Sequence, residues 1–206
     1  GCLVLSFEYR LGPEHKYPAA HEDSYAAWRW ALENAASISA DPARIAIGGD
    51  SSGGTMAIAV CAMAAERGTP APVQLMLWYP GTGGGPATQS MKDLSEGYFL
   101  DSGLMKWSMG HYLNGPEDME SPWVAPLKLP DFSILPPTYL MTAGYDPRHD
   151  DNALFVDALR GSGVPAEFHS ISDTIHGFMF MLGGIDLAVK AAEDGAAFLK
   201  SAFANC

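Results

Sequence analysis

Apolar positions along this chain fall into two alternating patterns. Short, almost solid apolar runs occur at Leu3–Tyr9, Ile45–Gly49, Val73–Tyr79, Thr138–Tyr145 and Ala166–Ser172. Their length and composition predict strands buried on both faces. Between them the apolar residues recur at helical spacing. Ser24, Trp28, Ala31, Leu32 and Ala35 share one face of a predicted helix over Asp23–Ala36. Met56, Ala57, Val60, Met63 and Ala64 trace a second helix, closed by Gly68 and Pro70. Further helices are predicted near Gly103–Leu113, over Asn152–Arg160 and over Asp186–Phe203. Gly and Pro punctuate the loops "RLGPEHKYPAA" and "SADPAR". The segment 81–137 is rich in both residues and reads as an excursion from the sheet. Strands alternating with helices predict an α/β fold, a mostly parallel sheet with helices on both faces. No repeat or shift in composition marks a boundary, so 1–206 reads as one domain.

Composition narrows the function. The 206 residues are 48% hydrophobic and 17% charged, as expected of a chain with a core. A net charge of −12 offers no basic patch to offset phosphates, which excludes nucleic acid and anionic membrane surfaces as partners. No apolar stretch reaches the length of a membrane span. Cys2, Cys61 and Cys206 are odd in number, far apart and without metal spacing. They read as free thiols in a reducing compartment, which suits a cytoplasmic protein. The chain opens at Gly1 inside an apolar run, so it reads as a fragment whose N-terminal part is missing.

Candidate chemistry centres on "RIAIGGDSSGGTMAI", residues 44–58. Only one frame fits G-x-S-x-G: Gly49, Asp50, Ser51, Ser52, Gly53. Ser51 therefore sits at a predicted strand-to-helix turn, where a sharp bend exposes a nucleophilic hydroxyl. The expectation is that a Cβ at either Gly49 or Gly53 would clash across this turn. The helix start offers free N–H groups, and that of Ser52 is one donor for a developing oxyanion. A glycine-rich turn that caps a helix or binds phosphate is the plainer alternative. A serine nucleophile needs a base, and the base needs an orienting carboxylate. Asp146 follows one late strand, and His176 follows the next. Both have plainer readings, as a turn or capping acid and as a packed histidine. A rival reading of "DPRHDD" makes Asp146, His149, Asp150 and Asp151 ligands of a divalent metal. His15, His21, His111 and His169 have no matching context and read as structural or exposed. The aromatic and Met residues between Tyr98 and Tyr112 read either as the lining of an acyl pocket or as a buried helix face.

Taken together, "YRLGPEH", "GDSSGG", "WYP", "LPPTYLMTAGYDP" and "HGF" resemble, in order and approximate spacing, the motifs of the hormone-sensitive-lipase-like carboxylesterases. This is a branch of the α/β-hydrolases, and the resemblance covers essentially the whole chain. It implies a Ser51–His176–Asp146 triad that hydrolyses short to medium acyl esters through an acyl-enzyme. It implies no metal or organic cofactor. The implied partners are a small ester substrate and, for the full-length protein, a second copy of itself. Three departures stand out. Ser52 replaces the usual Ala, Arg148 and His149 replace the Leu and Arg of DPLRD, and the upstream HGGG loop is absent. That loop supplies the remaining oxyanion donors, and the first strands and cap helices precede it. The 206 residues alone are therefore expected to fold poorly or to be nearly inactive. Two other outcomes follow the same resemblance: a non-catalytic small-molecule-binding homologue, or an inactive truncated product.

Overall fold

The computed structural model describes residues 1–85 and 87–204. Four strands form one parallel sheet in chain order: β1 (Ile47–Asp50), β2 (Leu75–Trp78), β3 (Thr138–Tyr145) and β4 (Ala166–Ile175). The connections carry α1 (Ala19–Asn34), before β1, and α2 (Ser52–Arg67), between β1 and β2. The long excursion between β2 and β3 holds α3 (Gln89–Asp93) and α4 (Ser102–Tyr112). α5 (His149–Gly161) joins β3 to β4, and α6 (Asp186–Ala204) closes the described chain.

The alternation along each strand sorts the core into two layers. Leu75, Leu77 and Leu140 pack with Ile58 of α2 and with Phe155 and Leu159 of α5. The intervening Met76, Tyr139 and Met141 pack with Ala188 and Ala191 of α6 on the opposite face. A third layer forms where Tyr25 and Trp28 of α1 cover Val60 and Met63 of α2. This explains why every residue from Met56 to Ala64 is buried. α2 has the sheet on one side and α1 on the other, and a helix apolar on all sides is stable only in such a place.

One predicted strand is corrected. Leu3–Tyr9 forms no strand, and Leu3, Val4, Leu5 and Phe7 are exposed. Strand conformation in an apolar run depends on a paired neighbour, and no described strand lies beside this segment. The outer edge of β1 is likewise unpaired among the described residues. Other differences are shifts of element ends, together with α3, which the Gly- and Pro-rich pattern around it hid. Cys2 is exposed and Cys61 is buried, both with free thiols. Cys206 lies outside the described residues.

Candidate active site

β1 ends at Asp50, and the chain turns directly into α2 through Ser51. Ser51 has φ 50° and ψ −118°, a strained conformation for a residue with a side chain. Two glycines make the turn possible, and they are not quite the expected pair. A Cβ on Gly49 would run into the backbone of Gly53, as expected. A Cβ on Gly53 itself would meet open space, because that residue faces a cavity. The second steric constraint falls on Gly54, whose Cβ would lie 2.8 Å from the Cβ of Pro80.

The three candidate residues meet at the end of the sheet where the strands terminate. The Ser51 hydroxyl lies 2.9 Å from Nε2 of His176. Nδ1 of His176 lies 2.7 Å from Oδ2 of Asp146. Asp146 is fully buried and His176 nearly so. The second carboxylate oxygen of Asp146 accepts the backbone N–H of Arg148 at 2.8 Å, so neither oxygen is left unpaired. A carboxylate accepting from Nδ1 fixes the tautomer in which Nε2 can take a proton. Ser52 opens α2, and like any first-turn residue it has a backbone N–H without an intrahelical acceptor.

Several supporting side chains carry no catalytic signature of their own in the sequence. The ring of Tyr79 packs 4.8 Å from the imidazole of His176, and its own backbone sits at φ 38°. Its place directly before Pro80 in "WYP" was the available clue. Ser90 of α3 pins the loop that carries Asp146. Its hydroxyl donates to the Pro147 carbonyl and accepts from the Asp150 N–H, at 3.0 and 3.1 Å. Thr55 donates to the Gly81 carbonyl at 2.8 Å and ties α2 to the loop after β2.

The "DPRHDD" residues do not converge. Asp146 meets His176, Asp150 meets Ser90 and His149, and Asp151 meets Arg148. Among the described residues no group of three or more His, Cys, Asp or Glu is placed to hold a metal ion. His21 is buried and structural. The Tyr112 hydroxyl donates to its Nδ1 at 2.6 Å, and its Nε2–H donates to the Trp123 carbonyl at 3.0 Å. His15 is exposed, His111 packs on Trp107, and His169 stacks on Tyr139.

A cavity of about 670 Å³ opens beside Ser51 and His176. Leu104, Met105, Ser108, Met109 and Tyr112 form one wall. No residue of α4 is buried, so this stripe lines the cavity and is not a core face.

The family described as an alpha/beta hydrolase fold matches residues 1–180. The chain belongs to the α/β-hydrolase fold family. Its relatives include the esterase LipI of Mycobacterium tuberculosis, 36% identical over 201 residues, covering 97% of this chain and 62% of that protein. The ethyl acetate hydrolase of Pseudomonas putida is 32% identical over 196 residues, covering 95% and 60%. Among solved structures, the ester-hydrolase EH1AB1 from the metagenome of Lake Arreo superposes with a TM-score of 0.92 at 38% identity, covering 96% and 62%. The thermostable carboxylesterase EstE1 from a metagenomic library gives 0.91 at 34% identity, covering 95% and 67%. The chain thus spans about three-fifths of the length of these curated α/β-hydrolase relatives. No described helix is long and apolar enough to cross a membrane.

Proposed function

We propose that this α/β-hydrolase is a carboxylic-ester hydrolase of the hormone-sensitive-lipase-like branch, with Ser51, His176 and Asp146 as its triad. The observation that carries the reading is the continuous bonded path Ser51–His176–Asp146 at the edge of the cavity. Relatives described as esterases and carboxylesterases support the same chemistry.

In this reading Ser51 Oγ attacks the ester carbonyl while His176 Nε2 takes its proton. Negative charge on the carbonyl oxygen is met by the Ser52 N–H and the positive end of α2. His176 then protonates the departing alcohol, leaving an acyl group on Ser51. Water, deprotonated by the same imidazole, releases the acid and restores the serine. Asp146 stays ionised and holds the imidazolium. The largely apolar cavity suits short to medium acyl esters, more esterase than lipase in range.

The remaining oxyanion donors come, in this proposal, from an HGGG loop upstream of Gly1, with the strand that pairs to β1. Loss of one such donor costs roughly a hundred- to a thousandfold in rate. The outer edge of β4, unpaired among the described residues, suits pairing with a second copy. The exposed thiol of Cys2 suits a cytoplasmic site.

The test is Ser51→Ala, assayed with 4-nitrophenyl butyrate in the 206-residue chain and in a version extended upstream. Turnover is expected to fall on the order of 10^4- to 10^6-fold with an unchanged circular dichroism spectrum. Undiminished turnover overturns the assignment.

A further inference from the structure

The hydrolytic steps leave one group in the cavity without a task. Arg148 lines it together with Gly81 and Gly83, on the loop that also carries Asp146. Its side chain is 16% exposed, so it does not simply reach out into bulk water. Among the described residues its guanidinium meets a single acceptor, Oδ2 of Asp151, through Nη1 at 3.5 Å. That length is at the limit of a hydrogen bond. A guanidinium carries N–H donors on three nitrogens in a planar fork, and most of them have no acceptor among the described residues. The contrast with Arg10 is direct. Arg10 also lines the cavity, but its Nε and Nη2 hold both oxygens of Asp23 at 2.8 and 2.7 Å.

The charge balance around Arg148 points the same way. Burial raises the Asp151 carboxyl above its usual value, and Arg148 offsets only part of that rise. The Arg148–Asp151 ion pair is long, at 3.5 Å. The Asp146 oxygens are occupied by His176 and by the Arg148 backbone N–H. Asp50 is the carboxylate residue that lines the cavity among the described residues. Nη1 lies close to Gly83, where an added Cβ would stand in van der Waals contact at 3.6 Å, and Arg148 itself lines the cavity of about 670 Å³. A largely desolvated fork with free donors matches one ligand chemistry best, an oxyanion that accepts two parallel N–H bonds. Leu104, Met105 and Met109 line the same cavity with apolar surface that fits the intervening carbon chain.

We propose that Arg148 forms a carboxylate subsite, and that the esters selected by this cavity carry a second, ionised acid group. A half-ester of a dicarboxylic acid is the simplest example. The proposal rests on the reading of Ser51 as nucleophile and adds a specificity-determining residue to it.

The test compares monomethyl glutarate with methyl valerate, which differ in carrying a carboxylate or a methyl at the far end. The readout is the ratio of their kcat/KM values, followed by acid release in a pH-stat, in the wild type, Arg148→Leu and Arg148→Lys. The ratio is expected to drop on the order of ten- to a hundredfold in Arg148→Leu, with Arg148→Lys keeping part of it. An unchanged ratio in Arg148→Leu overturns the proposal. If Arg148→Leu does not fold, inhibition of the wild type decides. Glutarate should compete with methyl valerate, and its inhibition constant should weaken as salt rises. Absence of competition overturns the proposal. If neither ester is hydrolysed, the hydrolase reading is the part that fails. Calorimetric titration of glutarate into the same protein then still tests Arg148, with no heat of binding as the overturning result.

Discussion

The two sides of Ser51 are built differently. On the side toward β3 and β4, the imidazole and the carboxylate of the site are fully hydrogen-bonded. Asp146 and His176 are buried, Ser90 pins the acid loop, and Tyr79 packs on the imidazole. On the side toward the outer edge of β1, the sheet has no further described strand, and Leu3–Phe7 stands exposed. The difference teaches that, in the proposed mechanism, the acid–base and oxyanion machinery are built from separate parts of the fold. The first is assembled by neighbouring parallel strands and the loops that leave them. In the proposed mechanism the second takes backbone donors from the other flank of the serine, beyond Ser52.

The largest effect is expected from breaking the completed side. Asp146→Asn removes the carboxylate that sets the His176 tautomer, and kcat for 4-nitrophenyl butyrate should fall about ten-thousand-fold with little change in stability. A kcat near that of the wild type would show that another group orients the imidazole. It would also erase the contrast between the two sides.

A smaller effect is expected at His21, which ties α1 to the cavity wall formed by α4. Burial lowers its pKa, with the Trp123 carbonyl offsetting part of the shift. The sign follows from linkage. Below a pH of about 6.5 the unfolded chain takes up the proton before the folded one does. His21 therefore lowers stability as pH falls from that point toward its folded pKa, and contributes no slope above it. The loss is at most about 1.4 kcal/mol per pH unit. Urea unfolding between pH 5 and 7.5 should show a shallower acid slope in His21→Gln than in the wild type. Identical slopes would mean that the imidazole stays accessible to protons in the folded state.

The smallest effect is expected on the open side. Leu5→Ser should change the stability of the 206-residue chain by no more than about 0.5 kcal/mol, because Leu5 is exposed. A loss above about 2 kcal/mol would place this segment in a packed layer and close the gap between the two flanks.

Much of the core was legible because strand and helix periods are local properties. Leu75 and Leu77 had to face away from Met76, whatever covered them. The ends were less legible. α1 begins at Ala19, ahead of Asp23, and β4 runs on to Ile175, because tertiary pairing and not local composition decides where hydrogen bonding stops. The stripe on α4 illustrates the limit. Its Leu and Met spacing is the same for a core face and for a cavity wall, and only the position of the helix distinguishes them.

The sequence by itself determined the order of elements, the single frame of G-x-S-x-G that selects Ser51, and the late-strand positions of Asp146 and His176. These depend on steric and periodic rules that act over a few residues. The tertiary structure alone decided which side chains share a cavity, that Gly54 and not Gly53 carries the second steric constraint, and that Leu3–Tyr9 is no strand. It also decided that Arg148 faces the cavity with spare donors while Arg10 does not. Those outcomes depend on partners distant in the chain. Pairing, burial and the satisfaction of polar groups are properties of the assembled neighbourhood, and no local pattern encodes them.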